Sequence, residues 1–225
     1  MTMPEDIPFW ICGAGGHGRV VADAARACGI VPAGFIDDRP HGGELDGLRV
    51  LATTDPAWLA LKAFSFVVAI GENCIRARIF RRLAERGGVP RTLVHPAATV
   101  SPRATLGPGT VVFAGAVVNP GAIVGANCIL NTACSVDHDC RVADHAHLCP
   151  GVRLAGTVDV GEGVMIGTGA VVIPGRRIGA WAMAGAGAVV VRHVPSARVA
   201  IGNPARAIHP VAPEHLPEGF GTIPA

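Results

Sequence analysis

The chain has 225 residues, a formal net charge of +2 and 50% hydrophobic residues, enough for one large domain or two modest ones. Its Lys and Arg residues are dispersed, and the missing basic stripe argues against a nucleic-acid partner. The seven cysteines form no zinc-type CxxC pair, and the opening MTMPEDIPFW carries acids without the basic n-region that a secretory signal needs.

The first segment alternates strands with helices. Residues 7–12 read as a strand, 17–28 as a helix and 33–37 as a second strand. Residues 55–62 read as a short helix and 64–70 as a strong strand. Residues 74–86 form an amphipathic helix with Arg and Glu outward, and 91–94 a last strand. This order implies a parallel sheet over residues 1–95, about half of a full dinucleotide-binding fold. Between the first strand and helix, Gly13-Ala14-Gly15-Gly16-His17-Gly18 satisfies G-x-G-x-x-G. Such a turn presents free N–H groups to phosphate, and Asp37 and Asp38 end the second strand, where a ribose-binding acid would sit. Three readings stay open: a turn that merely needs glycine, an NAD site, and a site for a nucleotide diphosphate carrying a sugar.

From Val100 to Pro195 the chain repeats every six residues: VSPRAT, LGPGTV, VFAGAV, VNPGAI and so on through sixteen units without an insertion. The first position is Val, Leu or Ile in fifteen units, with Ala184 the exception, and the fifth is mostly small. A helix repeats at 3.6 residues and cannot keep one face apolar at a period of six, and the recurrent Gly and Pro would break it. A strand and a turn stacked in register give a parallel β-helix instead. The pattern resembles the hexapeptide of left-handed β-helix acyltransferases, in which three hexapeptides make one triangular coil; the resemblance implies slightly more than five coils, about 25 Å tall with strands about 4.8 Å apart. Cys128, Cys134 and Cys140 occupy the fifth position, where a free thiol acts as a small hydrophobe and suits a reducing cytoplasm. Arg176 also occupies a fifth position, and a buried Arg needs a partner.

No charge lies between Arg103 and Asp137, yet the recurrent Gly, Pro and Asn do not make the apolar run of about 20 residues that spans a membrane. The remaining tail, residues 209–225, is Pro-rich and is expected to be poorly ordered.

The motifs GAGGHG, FIDD, AIGEN and GNPAR, in that order around a hexapeptide region, resemble the nucleotide-sugar N-acetyltransferases of bacillosamine and perosamine pathways and the related sialic-acid O-acetyltransferases. The resemblance covers the chain to about Ile208. It implies an α/β Rossmann-like N-terminal domain (1–95) followed by an all-β left-handed parallel β-helix (96–208), whereas ordinary parallel crossovers are right-handed. It implies acetyl-CoA as co-substrate, no metal, a nucleotide-linked amino sugar as acceptor, and a cytoplasmic homotrimer with sites between subunits. The uncharged coil faces agree with cyclic association.

By the same resemblance, the stretch NTACSVDHDCRVADHAH carries the catalytic signature. His138 is the general base and Asp139 orients it, a pairing the chemistry asks for, because an amine attacking a thioester must lose a proton near neutral pH. Family members often carry Glu after the His; Asp139 is one methylene shorter. Asn131 would line the substrate site with Gly15, Gly16, His17, Asp37, Asp38 and Gly71. His147, Gly156, Thr168, Gly185, Ala186 and Arg206 would meet acetyl-CoA. The alternatives are O-acetylation of a sugar, a non-catalytic dinucleotide-binding scaffold, and a three-histidine zinc site whose spacing fits poorly.

Overall fold

The structure, a computed structural model, describes residues 7–39 and 43–220. The N-terminal half is a six-stranded sheet with helices on both faces. Its elements are β1 (Phe9–Cys12), α1 (Gly16–Ala27), β2 (Gly34–Ile36), β3 (Glu44–Leu45), β4 (Leu48–Leu51), α2 (Pro56–Leu59), β5 (Ser65–Val68), α3 (Asn73–Glu85) and β6 (Val89–Pro90). They lie in the order β3-β4-β2-β1-β5-β6, all parallel except the β3–β4 pair. β1 and β5 are buried along their whole length, because parallel strands are covered on both faces. The period-two alternation divides their side chains. Phe9 and Ile11 pack with Val21, Ala22 and Ala25 of α1, while Trp10 and Cys12 face Trp58, Phe64 and Leu83. Gly18 is required by close approach: a Cβ there would run into the Gly13 carbonyl, so α1 could not sit against β1.

The β3–β4 hairpin went unread in the sequence, although Asp46-Gly47, both at positive φ, is the turn such hairpins prefer. The last strand also moves. Val89–Pro90 closes the sheet on β5, while Leu93–Val94, expected to close it, pairs instead with Val111–Val112. Val94 lies six residues before Val100 and eighteen before Val112, in the phase of the coil repeat, so Leu93–Val94 forms the first rung of the β-helix.

Three parallel faces form the helix. The first stacks Leu93–Val94, Val111–Val112, Ile129–Leu130, His147–Leu148, Met165–Ile166, Met183–Ala184 and Arg198–Gly202. The second runs from Thr99–Val100 to Val189–Val190, and the third from Thr105–Leu106 to Arg177–Ile178. Partners lie one coil apart, as in Val111 with Ile129 and Val117 with Ser135, which is the predicted three-hexapeptide turn. The first and fifth positions point inward and make one continuous core from Val112 to Ala200. Each fully buried Val, Leu or Ile there is worth about 1.5–3 kcal/mol. The fourth position takes left-handed backbone from Gly109 to Gly187, which explains its glycines, and Asn127, Ala133, Asp139, His145, Thr157 and Trp181 adopt it too.

The two halves share a core. Leu93, Val111, Phe113 and Ile129 on the first face join the cluster under α1. Residues expected to trail off are instead docked. Ala205–Pro210 pairs antiparallel with Arg198–Gly202, Val211 is buried, His215 Nδ1 lies 3.4 Å from Glu72, and Phe220 meets Trp181 edge-on. The burial of Val211 and the ring contact hold this segment in place; residues 221–225 lie outside the described residues.

Candidate active site

His138 and Asp139 stand on the corner between the second and third faces. Asp139 is at the fourth, left-handed position (φ 57°), so its carboxylate turns back to the neighbouring imidazole. Asp139 Oδ2 lies 2.9 Å from His138 Nδ1. A carboxylate only accepts, so Nδ1 carries the proton and Nε2 is left with its lone pair. Asp137 builds the turn: its Oδ1 accepts the His138 N–H (2.7 Å) and Asn119 Nδ2 (2.8 Å). The Asp139 hydrogen bond, with help from Asp137, raises the His138 pKa above the ordinary imidazole value. Both side chains are open to solvent, 59% and 65% exposed. One coil further on, Gly156 lies against the ring, and a Cβ there would collide with Nε2. The absent side chain lets the imidazole pack against the Gly156 backbone.

A second constellation forms where the N-terminal half meets the first face. His147 Nδ1 lies 3.3 Å from the Gly71 carbonyl, and its Nε2 lies 3.2 Å from Asn131 Nδ2. Asn131 Oδ1 accepts the Thr132 N–H at 2.8 Å, which fixes the amide; Nδ2 therefore donates, and His147 is neutral with its proton on Nδ1. His17 completes the group, 6.2 Å from the His147 ring and edge-on to Phe113 at 5.6 Å. Burial, then the charge of Arg76, lowers the pKa of His147 to about 3 and that of His17 to about 4. His145, packed on Asn127 (2.9 Å) and Phe80, is lowered to about 4 for the same reasons.

The amphipathic pattern of α3 turns its Arg residues outward, yet Arg76 is fully buried. It sits in the first turn of α3, which docks on the β-helix, so its side chain points into the junction. Its Nε donates to Asn127 O (3.1 Å), Nη1 to Ile70 O (3.0 Å) and Gly71 O (3.3 Å), and Nη2 to His145 O (2.6 Å). Asn73 adds Nδ2 bonds to Gly163 O and Val164 O. Neither role was legible in the charge pattern, because the partners are carbonyls on distant coils. Burial pushes the Arg76 pKa down to about 10, which leaves it charged.

At the GAGGHG turn, Asp37 and Asp38 part company. The Asp37 carboxylate, 9% exposed, accepts the Ala14 N–H (2.7 Å) and is forked by Arg39 through Nε (3.0 Å) and Nη2 (2.6 Å). These bonds hold its carboxyl well below the usual range. The Arg39 guanidinium thereby lies against Gly15, while Gly16 faces open space. Asp38 turns away and accepts the Thr53 N–H (2.7 Å) and hydroxyl (3.0 Å).

Within one chain these residues do not form a single site. Thr168, Gly185 and Ala186 lie on the corner between the first and second faces with Asn131, whereas His138, Asp139 and Gly156 lie on the next corner, opposite the first face. Arg206 is exposed on the final hairpin, its Nη1 donating to the Ala205 carbonyl at 3.0 Å. Among the described residues, no three His, Cys, Asp or Glu side chains are grouped to share a metal ion, and no helix is long and apolar enough to cross a membrane.

Residues 9–83 match the family model described as the PglD N-terminal domain. The acetyltransferase domain of PglB from Neisseria gonorrhoeae is 40% identical, with a TM-score of 0.83 over 90% of this chain and 100% of that one. A second structure of that domain, in complex with acetyl coenzyme A, is 39% identical with a TM-score of 0.82, over 89% of this chain and 98% of that one. PerB from Caulobacter crescentus, in complex with CoA and GDP-perosamine, is 39% identical, with a TM-score of 0.83 over 90% and 97% of the two chains.

Proposed function

The chain belongs to the nucleotide-sugar N-acetyltransferases built on a hexapeptide-repeat, left-handed β-helix, and we propose that it transfers the acetyl group of acetyl-CoA to the amino group of a nucleotide-linked 4-amino sugar. The observation that carries this reading is the His138 imidazole, protonated on Nδ1 by its bond to Asp139, with a free Nε2 against Gly156. His138 Nε2 takes the proton from the amine as its nitrogen bonds to the thioester carbonyl carbon, and Asp139 stabilises the imidazolium. The Gly156 N–H faces the oxygen on which charge develops. The C–S bond then breaks, and CoA leaves as thiolate and takes up a proton. No acyl-enzyme is required.

The N-terminal half holds the nucleotide through Gly15, Gly16, His17 and Asp37, with Gly71 and Asn131 towards the sugar. Asp38 serves this site indirectly, by tying the end of β2 to Thr53. The enzyme acts as a homotrimer. A neighbouring subunit brings its Asn131 corner, with Thr168, Gly185 and Ala186, against the His138 corner, so acetyl-CoA lies between chains. His147 borders the sugar end of that groove. Its seven free cysteines suit a reducing cytoplasm, where acetyl-CoA is present.

Thiol release from acetyl-CoA, measured against UDP- and GDP-linked 4-amino sugars with sialic acid as an O-acetyl comparator, tests the assignment. Turnover with an amino sugar, lost in His138→Ala, is expected. Release only with sialic acid would reassign the acceptor atom, and release with neither would remove the proposed activity.

A further inference from the structure

Arg176 breaks the inward pattern, and the structure points to what it does. Its neighbours in the fifth-position column, Val158 and Val194, are 1% and 5% exposed. Arg176 instead leaves the core and is partly exposed, its Nε donating to the Pro174 carbonyl at 3.2 Å. A guanidinium cannot stay in an apolar column without a partner, so the side chain turns out through the corner between the second and third faces. That is the corner of His138. Counting up the third position of each coil gives His138, Gly156, Pro174 and Arg192, and Arg192 is exposed. Asp159, the nearby acid on the third face, is engaged by Arg177 at 3.6 Å. Among the described residues, neither Arg176 nor Arg192 has a carboxylate in ion-pair range. His193 adds a donor: its Nδ1 accepts the Arg177 N–H (3.0 Å), which leaves the proton on Nε2. Two unpaired cations and an imidazole N–H thus crown the column that starts at the proposed base.

We propose that Arg176 and Arg192 form an anion clamp for the phosphates of coenzyme A. This rests on the acetyltransferase reading above and extends it to the nucleotide end of the co-substrate. Coils stack about 4.8 Å apart, so Arg192 lies roughly 10 Å beyond Gly156, with Arg176 between. The pantetheine arm, about a dozen bonds of about 1.5 Å, reaches roughly 15 Å when extended. A thioester held at Gly156 therefore brings the diphosphate level with this pair, with slack for the arm to pass Pro174. Thr168 and Ala186 belong to the same coils as Pro174 and Arg192, so a neighbouring subunit's glycine-lined wall faces the arm at the same heights. Pro174 offers no N–H to compete for the ligand.

Arg176→Val restores the repeat and should fold at least as well as the parent, which keeps the test clean. In the Arg176→Val, Arg192→Ala double variant, the KM for acetyl-CoA should rise roughly 10- to 100-fold, about 10-fold for a lost charge-assisted contact on each side. The KM for S-acetylpantetheine, which lacks the nucleotide, and for the amino sugar should not change, and thermal stability should not fall. Calorimetric titration with CoA and with dephospho-CoA separates the two phosphate positions: an equal affinity loss for both places the diphosphate in the clamp, and a loss for CoA alone places the 3′-phosphate there. An unchanged KM for acetyl-CoA, or an equal rise with S-acetylpantetheine, overturns the clamp. Failure of the wild-type protein to bind CoA at all would instead overturn the reading on which it rests.

Discussion

Replacing Asp139 by Asn separates the two things the carboxylate does for His138. The exchange is sterically mild: Asp139 holds left-handed backbone at φ 57°, which Asn tolerates about as well, and its side chain is solvent-exposed. The amide oxygen can still accept from Nδ1 over the 2.9 Å contact, so the tautomer survives, but the countercharge is gone. Because the Asp139 bond raises the His138 pKa, its loss should move the acidic limb of the kcat profile to lower pH. The sign follows from the role: a base works unprotonated, so a lower pKa keeps it competent in more acidic buffer. The plateau should nevertheless drop, by less than the roughly 10²–10⁴-fold expected for His138→Ala, since the amide cannot stabilise the imidazolium. His17, His145 and His147, all lowered to about 3–4, stay neutral across the assay range and do not produce this limb. Stopped-assay rates from pH 5 to 9 with saturating substrates read both effects. Wild-type turnover in His138→Ala, or an acidic limb that survives in it, would refute the assignment.

Two further outcomes follow from the domain junction. His17, His145 and His147 are neutral when folded and take up protons near pH 6.5 when unfolded, so unfolding binds protons below that pH. Their contribution to stability is therefore complete above pH 6.5 and is lost as pH falls towards about 4, and a paired His145→Gln, His147→Gln variant should show a flatter melting temperature over that window. Arg76→Met should cost at least about 3 kcal/mol in urea denaturation, because several charge-assisted bonds to buried carbonyls, each worth about 1.5–3 kcal/mol, vanish together.

Most of the β-helix was legible because its signal is redundant: an inward Val, Leu or Ile every six residues leaves one phase and one period. The same rule places Val94, six residues before Val100, on the first rung, but the strand Val89–Pro90 adjoins it with no glycine boundary and the two read as one segment. The first half was legible through its buried strands and the GAGGHG turn, while α3 was legible as a helix and misread in its faces. Amphipathic patterning assumes that an Arg seeks water. Arg76 instead meets carbonyls of Asn127 and His145, which lie dozens of residues away and leave no local trace. Arg176 is the converse case: its position in the repeat says inward, and desolvation turns it outward.

The separation of the functional residues onto different corners leads to a quantitative test of how the site is assembled. His138 and Gly156 face away from the first face, where His17, Asn131, His147 and Gly71 meet. The β-helix core is continuous, so no bending of one chain can join them. If a complete site takes its base from one subunit and its sugar-binding half from the next, two inactive variants can rescue each other. Mixing His138→Ala and His17→Ala chains in equal amounts, by refolding or co-expression, should give random trimers if the proposed homotrimer forms. A site is intact when its base comes from a His17→Ala chain and its neighbour is a His138→Ala chain, which occurs in about one site in four for random assembly of a cyclic trimer. Activity at subsaturating amino sugar should therefore recover to about a quarter of the wild-type level. Sites confined to one chain would show no recovery whatever the mixing ratio, and that result, obtained with confirmed hybrid trimers in sedimentation, would refute the shared site.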